Sequence, residues 1–178
     1  MGSSAYGSQL QWTTNGFNGN DIVSGNDVAL LKISGTIQDS WDVYYAGWNI
    51  NSSSMQSTSV CVHHPSGDPK QISFTAGTAY TSNFNSTPWG THWKGYWEEG
   101  GTEGGSSGSP LFDNNGRIIG PLTGGPDVNC GSSEDYGLFG KLNYYWDDIQ
   151  PFLDPGNTGV LYLSGTYNSV VAGCTDPS

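Results

Sequence analysis

Residues 100–122, GGTEGGSSGSPLFDNNGRIIGPL, decide how the rest of the chain is read. The first half is too rich in glycine for a regular element. Glycines around Ser106 and Ser107 let the backbone turn sharply, expose one hydroxyl and aim backbone N–H groups at a common point. A nucleophilic serine and its oxyanion need that geometry. The same composition also makes flexible linkers. The next residues separate the two readings: Pro110-Leu111-Phe112, a turn at Asp113-Asn114-Asn115-Gly116, then Arg117-Ile118-Ile119-Gly120. This is a β-hairpin pattern, and a linker would not run straight into one.

Working outward, short apolar runs alternate with Gly/Asn/Pro/Ser clusters, which predicts an all-β chain with many turns. Strands are expected at 28–33 (VALLKI), 43–48 (VYYAGW), 58–63, 71–74, 136–142 and 160–163, with Pro65-Ser66-Gly67-Asp68-Pro69 as a connecting turn. Residues 1–26 are polar and rich in Gly and Asn. Residues 82–100, with Trp89, Trp93 and Trp97, read as a loop. Residues 144–153 (YYWDDIQPFL) read as a short helix limited by Pro151. A second candidate for chemistry is Asp27, in Asn26-Asp27-Val28-Ala29-Leu30-Leu31. An aspartate at the mouth of a buried strand can be held and desolvated enough to orient an imidazole, although taken alone it reads more readily as a turn residue capping the strand. Asp27 precedes Ser107, the order that supports the first role.

These segments together resemble the trypsin-type serine endopeptidases, most closely the bacterial lysyl endopeptidases. The resemblance lies in Asn26 to Leu31, in Ala46-Gly47-Trp48, and in His63-His64-Pro65 with Lys70-Gln71-Ile72-Ser73. It continues in Thr102-Glu103 with 105–112, in Gly116 to Leu122 with Gly124-Gly125-Pro126 and Cys130, and in Leu153-Asp154-Pro155. The matches run in order over roughly residues 8–163. The resemblance implies a double β-barrel, with the second barrel complete and the first partial, and a short C-terminal helix. It divides the chain into a first-barrel remnant at 1–50, a second barrel at 51–165 and a linker at 166–178.

Carried over by residue, Ser107 would be the nucleophile and Asp27 the orienting acid. The amides of Gly105 and Ser107 would form the oxyanion hole. Glu134, with Asp135 beside it, would pair a cationic P1 side chain, while Thr123 and Gly124 line the pocket wall and Trp89 or Trp93 covers it. Thr123 departs from the family's histidine there, which favours a basic P1 without strict lysine preference. A serine is a poor nucleophile without a base, and the family's base precedes the Asp. No histidine lies before Asp27; the three present are His63, His64 and His92. His63 and His64 fall in a segment that is not the base, and a structural role is expected of both. His92 is the remaining, disfavoured candidate. The expectation is a chain truncated at its N-terminus, inactive alone, from a parent that hydrolyses peptide bonds through an acyl-enzyme. The rival reading is a protease-like binding module or adhesin using aromatic platforms.

The chain has 178 residues and a net charge of −11 from 16 acidic and 5 basic residues. That argues against nucleic acid or an anionic membrane as partner, since both require clustered Lys and Arg. No apolar stretch is long enough for a transmembrane helix. No cofactor or metal is expected, because Cys61, Cys130 and Cys174 do not have metal-ligand spacing and the turn at 113–116 is explained by hairpin chemistry. An odd cysteine count suggests a missing disulfide partner, and the resemblance pairs Cys130 with a cysteine near the mature N-terminus. The expected setting is a secreted bacterial protein, monomeric when intact, acting on polypeptides.

Overall fold

The computed structural model describes residues 8–13, 28–51, 58–126 and 135–167. Its centre is a closed barrel of six strands: β5 (Val60–His63), β6 (Gln71–Thr75), β8 (His92–Glu99), β9 (Pro110–Phe112), β10 (Arg117–Gly124) and β11 (Tyr136–Gly140). The order around the wall is β11, β8, β6, β5, β9, β10, and β10 pairs back onto β11 to close the ring. All these pairings are antiparallel. Closure removes the free edges that an open sheet would present. A further strand, β7 (Tyr80–Ser82), pairs with the first half of β8, at His92 to Lys94.

The remaining elements lie outside that ring. β4 (Gly47–Asn49) runs parallel to β10 and carries β12 (Tyr162–Leu163) on its other side. β1 (Ser8–Thr13) and β2 (Ala29–Ile33) form an antiparallel pair, as do β3 (Tyr44–Tyr45) and β13 (Thr166–Tyr167). The helix α1 covers Trp146–Leu153 after a 3₁₀ turn at Leu142–Tyr145. Pro151 sits inside its last turn, removing one backbone donor, and the helix ends two residues later.

Two apolar clusters hold this arrangement. Cys61, Ala79, Trp93, Leu111, Ile119, Leu122 and Phe139 fill the barrel interior, with Trp97 against them. Trp48, Leu142 and Ile149 form the second, where α1 packs on β4 and β10; the rings of Trp48 and Trp146 are 4.6 Å apart. At the β10–β11 seam the carbonyl O of Gly140 occupies the place where a Cβ on Gly120 would stand, so only glycine lets these strands approach. Around the ring the side chains of Leu31, Ile33, Tyr162, Leu163 and Tyr167 stay more than half exposed.

The structure departs from the sequence reading at several places. Residues 92–99, expected as loop, are the eight-residue strand β8. Its mixture of Trp, Gly, Lys and Glu lacks clean alternation, but β6, β7 and β11 all bond to it and impose the extended form. Residues 8–13, inside the polar N-terminal stretch, are strand β1. The expected strand at 43–48 is two short ones, interrupted at Ala46. Residues 166–167 pair with β3 although they fall in the stretch read as a linker. The 113–116 hairpin is as expected: Asp113 Oδ1 accepts from the amides of Asn115 and Arg117, and its Oδ2 accepts from Asn49 at 2.8 Å.

Candidate active site

The glycine-rich loop joins β8 to β9, strands on opposite walls of the six-stranded ring. It therefore follows the barrel rim over β6 and β5, and it is tied down at each step. Gly101 N–H donates to Ser73 Oγ on β6 at 3.1 Å, and Ser73 Oγ–H donates to Gly101 O at 3.0 Å. Ser106 Oγ lies 2.8 Å from His63 Nδ1 at the end of β5. The turn after β5 adds Ser66 N–H to Gly104 O at 2.7 Å and Ser66 Oγ to Glu103 Oε2 at 2.6 Å. Beyond the turn, Gly108 N–H donates to Leu122 O and Leu122 N–H to Ser109 O, both at 2.8 Å.

Within this strap, Ser106 is fully buried and Ser107 is exposed. The glycines flanking the pair have left-handed backbones, Gly105 at φ +92° and Gly108 at φ +82°, which other residues adopt only with strain. The amide of Ser106 is used internally, on Glu103 O at 3.0 Å. Among the described residues nothing accepts from the amides of Gly105 or Ser107. The loop thus offers one exposed hydroxyl and two free N–H groups with a satisfied one between them.

Asp135 is half-buried where the loop begins, its carboxylate against Cα of Gly101: a Cβ there would stand 2.9 Å from Oδ2. Burial holds its carboxyl above the usual range. No described cation pairs it. Gly124 and Gly125 form the neighbouring stretch of β10 and its end, and the Tyr136 carbonyl fills the space beside Gly125. The ring against Gly124 is Phe84, with 3.2 Å from a Cβ position to Cε2, while Trp89 is 72% exposed. Phe84 escaped sequence reasoning, because nothing in Asn83-Phe84-Asn85 marks it. Thr123 Oγ1 lies 3.2 Å from His92 Nε2. Glu134, Asp27, Cys130 and Cys174 lie outside the described residues. Val28 and Gly108, which come directly after Asp27 and Ser107 in the chain, line one apolar cavity of about 390 Å³ with Trp48, Pro110, Pro121 and Ile149.

A family model described as the lysyl endopeptidase C-terminal domain matches residues 2–141. The chain belongs to that family. The lysyl endopeptidase family is one of serine proteases. Crystal structures of the Rv3671c protease from M. tuberculosis also match. The active form has 16% identity and a TM-score of 0.49, covering 69% of this chain and 52% of that one. An inactive form has 18% identity and a TM-score of 0.48, covering 69% and 60%. The inactive form of a serine-to-alanine mutant has 15% and 0.48, covering 75% and 62%. This chain thus spans about half to three-fifths of the length of those structures.

All three histidines of this lysyl endopeptidase family member are placed. His63 is buried with both ring nitrogens engaged, Nδ1 by Ser106 and Nε2 by Ser73 at 2.9 Å. His92 is buried with Nδ1 2.8 Å from Thr91 Oγ1, and burial together with the Lys141 ammonium lowers its pKa to about 4. His64 is exposed and donates from Nδ1 to Asp68 O at 3.2 Å. Cys61 is a free thiol inside the barrel, so the missing-partner expectation does not extend to it; burial pushes it up to about 12 and leaves it unreactive. Among the described residues no group of His, Cys, Asp or Glu gathers as a metal site, and no helix is long and apolar enough to cross a membrane.

Proposed function

We propose that the chain is the nucleophile-bearing part of a secreted bacterial serine endopeptidase that cleaves after basic residues. Ser107 attacks the scissile carbonyl, the amides of Gly105 and Ser107 hold the oxyanion, and Asp27 orients the imidazole that takes the serine proton. The observation that carries this reading is the free pair of amides beside an exposed hydroxyl, on a loop anchored at both ends. The shared cavity of Val28 and Gly108 supports joining the Asp27 and Ser107 segments in one site. Asp135, with Glu134 next to it in the chain, would meet the P1 cation. A half-buried carboxylate without a cation of its own has the chemistry to take one.

The base is none of this chain's histidines. His63 and His92 are buried with both nitrogens occupied, and His64 lies on the outer turn with Nδ1 on Asp68 O. An imidazole from outside this set has to complete the triad, and the chain alone is a binding-competent but poorly catalytic half. Binding and turnover test the two parts separately. A peptide boronate with a P1 lysine should form a tetrahedral adduct, visible by boron NMR, that Ser107→Ala abolishes. Hydrolysis of Lys and Arg esters by the chain should not exceed that of Ser107→Ala. Absence of the adduct sinks the nucleophile assignment, and serine-dependent turnover at a normal protease rate sinks the missing-base assignment.

A further inference from the structure

The hydroxyl next to the nucleophile has no role in acyl transfer, yet it is buried and bonded to a histidine. The protons in this cluster can be placed by elimination. Ser73 has one hydroxyl proton, and it goes to Gly101 O at 3.0 Å; Ser73 Oγ also accepts from Gly101 N–H at 3.1 Å. His63 Nε2, 2.9 Å from the same oxygen, must therefore be the donor. A neutral ring protonated on Nε2 leaves Nδ1 as an acceptor, and Ser106 Oγ–H at 2.8 Å supplies it. Ser106 Oγ in turn accepts from Glu103 N–H at 3.3 Å. Every polar atom of the chain Glu103–Ser106–His63–Ser73–Gly101 is satisfied with the imidazole in one tautomer.

We propose that His63 is a positioning residue which, as the neutral Nε2–H tautomer bridging Ser106 and Ser73, holds the 101–107 strap against the barrel rim and so sets the two free amides. The bridge has a direct geometric consequence. Ser73 sits on β6 and His63 on β5, the two walls over which the strap passes. With Ser106 drawn inward, the adjacent Ser107 has to face outward, because Gly105 and Gly108 on either side make the sharp turn. Gly105 lies between the Gly101 and Ser106 anchors with a left-handed backbone at φ +92° and no acceptor for its N–H among the described residues.

A second proton would break this order. His63 Nδ1–H would face the Ser106 oxygen, and the Ser106 hydroxyl proton would lose its acceptor in a fully buried site. Burial accordingly lowers the basicity of the ring; the Glu103 carboxylate opposes this and His64 adds to it. The inference rests on Ser107 being the nucleophile only for its catalytic consequence. The brace itself is a statement about protons and loop order.

The test uses the full chain. Long-range ¹H–¹⁵N correlation of the histidine rings should show His63 unprotonated at Nδ1 and protonated at Nε2 at neutral pH. Ser106→Ala should then speed exchange of the bonded amides of Gly101 and Ser106 by about tenfold, the change that losing one or two net hydrogen bonds gives, while amides of β9 and β10 beyond the loop stay as they were. Boronate affinity should weaken by about the same factor. An Nδ1–H tautomer for His63, or exchange rising equally across the barrel, overturns the proposal. If the boronate fails to bind even the unaltered chain, the protease reading falls, while the tautomer and exchange measurements still decide the brace.

Discussion

Acidifying the protein should cost it stability through His92, by an amount set by its surroundings. The ring is fully buried at the start of β8. Nδ1 lies 2.8 Å from Thr91 Oγ1, which donates to Pro88 O at 2.8 Å, and Nε2 lies 3.2 Å from Thr123 Oγ1. Burial first, and the Lys141 ammonium second, depress the pKa from 6.5 to about 4. Lys141 is itself buried, with Nζ 2.8 Å from Thr81 Oγ1 and 3.8 Å over the Trp93 ring. Because the folded value lies below the unfolded one, the unfolded chain takes up the proton first as pH falls. Stability is intact above about pH 6.5 and is lost progressively from there to about pH 4. At 1.36 kcal/mol per pKa unit the loss from this ring is about 2 kcal/mol at pH 5 and about 3 kcal/mol at pH 4. In melting temperature the first figure is about 4–8 °C for a chain of this size. Carboxylates also titrate in this range, so the measurement is a difference. Urea unfolding of the chain and of His92→Gln at pH 7.5, 6 and 5 should show their gap in stability shrinking by about 2 kcal/mol. A gap that does not change with pH, or a His92 ring that titrates near 6.5 in NMR, refutes the reasoning.

Single contacts set three further outcomes. Gly120→Ala places a methyl on the Gly140 carbonyl at the barrel seam and should destabilise by about 3 kcal/mol or more, read as a melting shift, with no loss if the seam can open. Asp135→Asn should weaken a P1-lysine boronate by about tenfold to a hundredfold and leave a P1-norleucine analogue unaffected; equal loss for both ligands would remove Asp135 from the pocket. Asn49→Ala strips one partner from the buried Asp113 carboxylate and should cost about 1–3 kcal/mol in denaturant unfolding, whereas a neutral result would mean water replaces the amide.

The loop and hairpin of the candidate site were legible because their residues are dictated locally. Gly105 and Gly108 are written into the sequence by positive φ, and Asp113 to Gly116 by turn chemistry, so the loop and the hairpin after it could be read without any tertiary knowledge. The limits fall where partners distant in sequence decide the outcome. β8 looked irregular since its extended form comes from strands on both sides of it. Phe84 carries no local mark, and its place against Gly124 depends on how the 83–91 segment folds back. His63 was expected to be structural, and it is buried with both ring nitrogens engaged. That its two nitrogens reach Ser106 and Ser73 could not be read from spacing, because β5, β6 and the strap meet only once the barrel has closed.

That last dependence bears on the order of events in folding. The strap connects opposite walls, so it cannot be seated before the β5–β6 hairpin has formed and β9 has docked on β5. Its anchors span large sequence separations, 43 residues for His63 to Ser106, and contacts of that kind form late because the chain entropy must be lost first. In a refolding experiment the ability of Ser107 to capture a boronate should lag behind the appearance of strand structure and rise together with protection of Cys61 from alkylation. The serine would then serve as a clock for barrel closure, and the same anchors would be the first to let go when the barrel opens.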